Sequence, residues 1–130
     1  MEEPKEPAIA TIDFDLPVTI PLDYAGTASQ RLEIYRTWSG RASQNEVKLW
    51  LEELRDRFGP LPEEAKALAA IAGLKLAAAK KGIDSIRWIQ GRFAFFRKEK
   101  VILAWPGNLP DSSKTLSRFA RAAMKKCREL

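Results

Sequence analysis

The segment Phe58-Gly59-Pro60-Leu61-Pro62 forces one helix to end and another to begin within five residues. Gly59 can adopt the left-handed backbone conformation that closes a helix, and Pro60 cannot continue one. Pro62 suits the first turn of the next helix, where the two glutamates that follow it complement the positive helix end. The sequence therefore predicts two helices that meet at a fixed corner.

The helix before this corner has a clear start and a clear apolar face. Ser43-Gln44-Asn45-Glu46 has the spacing of a capping box, in which serine and glutamate each satisfy a free backbone amide. The apolar positions that follow have helical spacing, and they are Val47, Trp50, Leu51, Leu54 and Phe58. At about 100° per residue, Glu53 and Asp56 lie on the opposite, solvent-facing side.

Two further helices are predicted around this one. The first covers about residues 28–38, where Leu32, Tyr35 and Trp38 recur every three residues and Ile34 broadens the apolar face. The other runs from Pro62 to about residue 81 and is closed by Gly82. Because this helix is alanine-rich and apolar almost all round, we expect it to be buried between other elements.

After Gly82 the pattern changes to short runs of β-branched and aromatic residues, at 83–89, 92–97 and 101–105. Gly91 and a charged Lys-Glu-Lys segment separate them as hairpin turns would. A last helix follows a cap at residues 111–113, and its apolar face holds Leu116, Phe119, Ala120, Ala123, Cys127 and Leu130. The predicted fold class is α+β: a cluster of three helices, a small three-stranded antiparallel sheet and a C-terminal helix.

The N-terminal region is predicted to hold little regular structure. Residues 1–11 are expected to form a flexible linker and 12–130 a single domain, and the prolines should keep 18–24 extended. Alternation over 12–16 predicts a short half-buried strand or extended segment. Asp13 and Asp15 could form a metal-binding pair there, but with no third ligand the solvent face of the segment is the favoured interpretation.

Composition excludes several functions. The chain has no histidine and a single cysteine, so it offers neither the commonest general base nor a usual zinc ligand set. No glycine-rich phosphate loop is present. We therefore predict a domain that is not an enzyme, with no catalytic, metal-binding or cofactor-binding residue. One cysteine, no apolar run long enough to cross a membrane and no signal-peptide core together predict a soluble cytoplasmic protein without membrane contact.

Basic residues give the chain a net charge of +5 and concentrate in its second half. They interleave there with aromatic residues, so a sheet that binds single-stranded nucleic acid by stacking and phosphate contacts is one hypothesis. The candidate contacts are Arg87, Arg92, Arg97, Lys98, Arg118 and Lys125. A solvated basic face is the commoner explanation of such a pattern.

The acidic pair Glu53 and Asp56 has two interpretations as well. The carboxylates are either solvated charges or an electrostatic docking patch for a partner domain that carries arginines. Nothing in the predicted helix indicates an enclosed cavity around the two carboxylates, which argues against a catalytic pair. Composition alone does not separate the first two interpretations.

Several motifs resemble the C-terminal domain of bacterial transcription-repair coupling factors. They cover about residues 12–90 and are Asp15-Leu16-Pro17, Pro21 with Tyr24, Arg31-Leu32-Glu33-Ile34-Tyr35, and Glu53-Leu54-x-Asp56-Arg57-Phe58-Gly59-x-Leu61-Pro62. The last of these is the most specific, and its Arg57, Phe58, Gly59, Leu61 and Pro62 form the structural motif. The basic sheet and the last helix match by pattern more than by identity.

The resemblance implies that the parent protein is an ATP-driven double-stranded DNA translocase, which releases RNA polymerase stalled at a lesion and recruits the repair protein UvrA. ATP and magnesium would belong to motor domains outside this chain. In that family the C-terminal domain is regulatory: it docks on the N-terminal UvrB-like domain of the same protein and hides the UvrA-binding surface. The acidic positions that contribute to docking match Glu53 and Asp56 here.

Overall fold

A computed structural model describes residues 9–130 of the chain. Most of the predicted linker, residues 1–8, lies outside the described part; Ala10 is buried and the first strand begins at Thr11. The elements in chain order are β1 (Thr11–Asp13), α1 (Leu22–Ala25), α2 (Ala28–Ser39), α3 (Gln44–Phe58), α4 (Glu63–Lys80), β2 (Ser85–Ile89), β3 (Arg92–Arg97), β4 (Lys100–Pro106) and α5 (Ser113–Arg128). The α+β class is confirmed.

The sheet has four strands in the order β1-β2-β3-β4, one more than predicted. The antiparallel meander β2-β3-β4 is confirmed, but β1 adds a parallel strand in which Ile12 pairs with Ile86. A parallel pair needs a long crossover connection, and helices α1 to α4 provide it here. The alternating pattern of residues 12–16 predicted a strand, but it did not indicate that the strand would pair with β2.

The segment predicted to be extended over 18–24 contains the one-turn helix α1. Pro21 precedes it with a φ of −57°, a value already suited to a helix start. The turn closes when the Gly26 N–H donates to the Leu22 carbonyl at 3.0 Å. Extended chain is therefore confined to the residues before Pro21, where Ile20 is completely buried.

The longer helices match the predicted bounds to within about two residues. At the start of α3 the Ser43 hydroxyl accepts from the Glu46 N–H at 3.1 Å, as predicted. The Glu46 carboxylate accepts from the N–H of Ala42 at 3.1 Å, so its capping bond goes to the residue before the serine. The α5 cap falls on Ser112, which forms a reciprocal capping box with Thr115.

Helix α4 is buried on opposite sides, as predicted, and separates two hydrophobic clusters. The sheet and α5 contact one side of α4, through Ala67, Ile71, Leu74 and Ala78. Helices α2 and α3 contact the other side, through Ala65, Leu68, Ala69, Ala72 and Leu76. Gly73 lies at a close approach, because a Cβ there would come within 3.0 Å of Gln44 Oε1 and 3.4 Å of Met124 Sδ.

Two predicted core residues are exposed. Leu32 is 58% exposed, and α2 buries Ile34 instead, with Tyr35 and Trp38 packed beside it. A spacing of three drifts around a helix with 3.6 residues per turn, so the first member of the predicted row left the core face. Leu130 is 47% exposed because α5 ends at Arg128.

Candidate functional site

Glu53 and Asp56 both lie exposed on the outer face of α3. Asp56 lies on the side of the helix away from the buried Val47, Trp50 and Leu54, whereas Glu53 lies at the edge of the buried side, in a crease that Trp50 and Leu54 also line. Within residues 9–130 neither carboxylate has an ion-pair partner within 4.0 Å. The structure therefore presents two adjacent negative charges to solvent.

Side-chain hydrogen bonds fix α2 and α3 on their neighbours. The Trp50 Nε1–H donates to the Thr37 hydroxyl of α2 at 3.1 Å, and the side-chain amide of Gln44 donates to the Gly73 carbonyl of α4 at 2.8 Å. From α2, the Trp38 Nε1–H donates to the Leu68 carbonyl at 2.7 Å. The acidic face is thus held on a rigid platform, which lowers the entropy lost when a partner binds.

The C-terminal end of α3 is closed by backbone geometry that favours glycine. Gly59 has φ +96° and ψ −163°, a region that essentially only glycine adopts, and its N–H donates to the Arg55 carbonyl at 3.0 Å. The Tyr24 hydroxyl donates to the carbonyls of Leu54, at 3.2 Å, and of Gly59, at 3.1 Å. Partial burial raises the pKa of Tyr24.

The other predicted motif residues build the same corner. The ring of Phe58 packs against Tyr24 with centroids 5.7 Å apart, and the Arg57 guanidinium lies over Phe58 at 5.0 Å. Leu61 packs against the α2–α3 cluster, and Pro62 is the N-cap residue of α4. These residues shape and fix the C-terminal end of α3.

One acidic residue near the site was missed by sequence reasoning. Glu33 of α2 and Glu53 of α3 line the same shallow crease between the two helices, and Glu33 is exposed. The crease encloses only about 20 Å³, less than a small-molecule ligand needs. Its position beside Glu53 depends on how α2 and α3 pack, so no local sequence signal pointed to it.

Two of the candidate nucleic-acid contacts on the sheet are engaged within the domain. Arg87 donates to the Glu99 carboxylate at 2.9 Å and lies over the Phe96 ring at 4.1 Å. The hydrogen bond to Glu99 raises the pKa of Arg87. Arg97 donates to the Lys81 carbonyl. Both arginines thus have internal partners that a phosphate would have to replace.

The aromatic residues of the sheet mostly face the core. Phe93, Phe95 and Phe96 are buried, and Trp88 and Trp105 are half-buried against the sheet–α5 cluster. These rings are not available for stacking with bases. The remaining sheet candidates are exposed, Arg92 at the start of β3 and Lys98 in the turn, where its N–H donates to Asp84 Oδ2 at 2.7 Å.

The last two candidate contacts, Arg118 and Lys125, lie exposed on α5.

At the other end of the chain, Asp13 and Asp15, the possible metal-binding pair, are exposed as well. Over residues 9–130, no three acidic, histidine or cysteine side chains cluster closely enough to hold a metal ion. No helix in the described part is long and apolar enough to span a membrane.

The chain belongs to the TRCF domain family. The model of the TRCF domain family matches residues 14–103, a range that includes the acidic face and the Arg57–Pro62 corner. The chain is 42% identical over 87 residues to a transcription-repair-coupling factor of Mycobacterium bovis, and 32% identical over 96 residues to that of Escherichia coli. These alignments cover 65% and 72% of this chain but only 7% and 8% of the relatives.

A solved structure extends the likeness to almost the whole domain. The crystal structure of the C-terminal domain of a transcription-repair coupling factor superposes with a TM-score of 0.65, covering 96% of this chain and 97% of that chain. Sequence identity over the superposition is 16%, so this match shows the fold alone. The fold thus includes α5, which lies beyond the residues that the family model matches.

Proposed function

We propose that this is a regulatory interaction domain of a transcription-repair coupling factor, and that Glu53 and Asp56 dock it on another domain of the same protein. The docking partner is the N-terminal UvrB-like domain, whose UvrA-binding surface becomes hidden. Membership of the TRCF domain family supports the first part. The single observation that carries the second is the pair of exposed carboxylates without a partner in the described residues.

The chemistry of the acidic face fits an arginine-bearing partner. Carboxylates without ion-pair partners bind guanidinium groups through charge-assisted, often bidentate, hydrogen bonds. Glu33, beside the crease, adds a third negative charge. Because α3 is fixed by the Trp50 and Gln44 hydrogen bonds, the helix that carries the carboxylates loses little freedom when a partner binds. Such contacts would chiefly determine partner choice and orientation.

Regulation would follow from a population shift between a closed and an open state. Contacts made only in the closed state favour it, and a ligand that binds the open state better reverses the balance. In the parent protein, engagement of RNA polymerase or double-stranded DNA by other domains would provide that second interaction. ATP, magnesium and the translocase activity belong to the motor domains, in the bacterial cytoplasm, and this domain contributes no catalytic group.

The test uses the full-length parent protein with Glu53→Arg and Asp56→Arg together. We expect this protein to bind UvrA more tightly than the unsubstituted protein, because the closed state loses its electrostatic contacts. The control is Asp15→Arg with Glu129→Arg, which changes the net charge equally at exposed positions away from α3. Unchanged UvrA binding by the α3 variant, with the domain still folded, would contradict the proposal.

The rival function is a nucleic-acid-binding module on the basic sheet and the C-terminal helix, and its sheet half has less support. The stacking rings there are buried or half-buried, and two of the arginines are held by Glu99 and by the Lys81 carbonyl. Of the four other candidate cations, Arg92 and Lys98 lie on the sheet and its turn, and Arg118 and Lys125 lie on α5, which is considered separately below.

A further inference from the structure

Helix α5 carries a straight row of cations on its outer face. The α5 cation stripe consists of Lys114, Arg118, Arg121, Lys125 and Arg128, all exposed. Spacings of four, three, four and three residues keep them within one narrow arc of the helix and spread them over about 21 Å. In the described part of the chain none of the five has an ion-pair partner within 4.0 Å, and α5 contains no acidic residue.

A polar pocket lies at the N-terminal end of this stripe. It encloses about 260 Å³ between α4 and α5 and is lined by Glu63, Lys114, Ser117, Arg118 and Arg121. Ser117 is only 5% exposed, and its hydroxyl has no hydrogen-bond partner among residues 9–130. Because that oxygen is itself almost inaccessible to solvent, the ligand-binding groups of the pocket are the three cationic side chains rather than the serine.

The charges around the pocket favour an anion despite Glu63. Three cationic side chains line it, against that single carboxylate, which lies 3.8 Å from Lys66 of its own helix. Glu63 is also the first residue of α4, so the pocket borders a helix end with partial positive charge. Three cationic side chains suit the several oxygens of a phosphate group.

We propose that the pocket and the α5 cation stripe bind the phosphate groups of a nucleic-acid backbone, with one phosphate in the pocket and the others along the stripe. A backbone presents anions at regular intervals, as the stripe presents cations. Phosphate contacts of this kind position a protein without reading the base sequence. The proposal does not depend on docking through α3, because α3 and α5 pack on different sides of α4.

Two other ligands fit the surface less well. An acidic protein partner would normally bring an apolar centre to its interface, and α5 has no exposed large hydrophobic residue between Ser113 and Arg128. A membrane surface would require the apolar face of an amphipathic helix to enter the lipid. In this domain that face is buried, with Leu116, Ala120 and Ala123 completely enclosed.

The test is fluorescence anisotropy of a short labelled DNA duplex titrated with the whole 130-residue chain at several salt concentrations. The site variant is Lys114→Gln, Arg118→Gln and Arg121→Gln. The matched control is Arg36→Gln, Lys48→Gln and Arg55→Gln, which removes the same charge from exposed positions on α2 and α3. We expect the site variant to lower affinity at least about tenfold and to reduce the log–log salt slope by about 2.7, since each lost phosphate contact contributes about 0.9.

Glu63→Gln and Ser117→Ala test the assignment at the pocket itself. Glu63→Gln should strengthen DNA binding, because it removes the one carboxylate beside the phosphate. Ser117→Ala removes an unpaired buried hydroxyl that the phosphate does not reach, so affinity should be unchanged while Tm stays the same or rises. Unchanged or weaker binding by Glu63→Gln would place the phosphate outside the pocket.

Three results would overturn the whole proposal. The first is equal loss of affinity in the site and control variants, which would mean that only net charge matters. The second is binding of inorganic phosphate at the pocket, detected by backbone amide shifts of Ser117 and Arg118, without any binding of the duplex. The third is tighter binding of a glutamate-rich peptide than of the duplex, which would assign the stripe to an acidic protein.

Discussion

Helices α3 and α5 both pack on α4, but they differ in charge and in their relation to known proteins. Helix α3 holds four acidic and three basic residues, whereas α5 holds six basic residues and no acidic one. The whole of α3 lies within the residues matched by the TRCF domain model, and the whole of α5 lies outside them. The docking proposal therefore concerns residues within the family match, and the phosphate proposal concerns residues outside it.

The likeness of α5 to the solved structure also shows how a fold is kept where sequence identity is low. The buried face of α5 is made largely of small or simple residues such as Leu116, Ala120 and Ala123. Many sequences meet that requirement, so the outer face of α5 can change without loss of the core. The α3 corner is less permissive, because Gly59 needs a backbone conformation closed to other residues and Tyr24 must reach two carbonyls.

The largest expected effect tests whether the two sides of α4 fold together. Leu74 contacts the sheet–α5 cluster and Leu68 the α2–α3 cluster, and both are buried. Either Leu→Ala substitution should lower the free energy of unfolding by about 2–5 kcal/mol through lost burial and a cavity. Chemical denaturation followed by fluorescence and by circular dichroism should give one coincident transition. Two separated transitions would mean that the halves fold independently.

A smaller loss is expected at the corner that ends α3. Gly59→Ala should cost about 1–3 kcal/mol, because of the backbone conformation alone. No atom lies within 4 Å of the added Cβ, so a steric clash does not contribute. Gly40→Ala is the matched control, since φ there is −90° and the nearest atoms are 3.9 Å away. Equal stability of the two variants in thermal denaturation would refute the strain argument.

Tyr24→Phe should remove the hydrogen bonds to Leu54 and Gly59 and cost about 1 kcal/mol. The pH dependence of the folding stability provides a second test of Tyr24. Because burial raises the pKa of Tyr24 in the folded state, the neutral hydroxyl favours folding below pH 10, and that contribution is lost as the pH rises further. The phenylalanine variant should therefore lose less stability between neutral and strongly alkaline pH. An identical alkaline decline in both proteins would show that Tyr24 contributes nothing to it.

The smallest effect concerns the one thiol of the chain, which sequence reasoning assigned to packing. Cys127 is 1% exposed, and desolvation raises its pKa to about 11. At neutral pH the native protein should react with an aromatic disulfide reagent far more slowly than the unfolded chain does, because little thiolate forms and access is blocked. Equal rates with and without denaturant would place Cys127 outside the core.

Local patterns predicted the elements well because they depend on nearby residues. The Ser43 cap, the stripe from Val47 to Phe58 and the glycine stop at Gly59 are all readable within a few turns of chain. The turns at Gly91 and Lys98 marked the hairpins for the same reason. Pairing of Ile12 with Ile86 joins residues 74 positions apart, and no periodicity indicates such a partner.

The candidate sites were predictable to different degrees. Exposure of Glu53 and Asp56 followed from helical geometry, and their role as a docking pair was carried by the resemblance alone. Engagement of Arg87 by Glu99 depends on how two strands pair, which the sequence did not specify. The pocket at Ser117 needed the packing of α5 against the first turn of α4, so the serine looked like any other helical residue.

The central claim is that the acidic face of α3 is a docking surface, and titration of this domain against the separately expressed N-terminal UvrB-like domain tests it most directly. Calorimetry at low and physiological salt would compare the unsubstituted domain, Glu53→Arg with Asp56→Arg, and the Asp15→Arg with Glu129→Arg control. We predict salt-sensitive binding by the unsubstituted domain, which the control variant retains and the α3 variant loses. All three versions of the domain should be equally folded. Binding that survives reversal of Glu53 and Asp56 would contradict the claim and place the docking surface on another face.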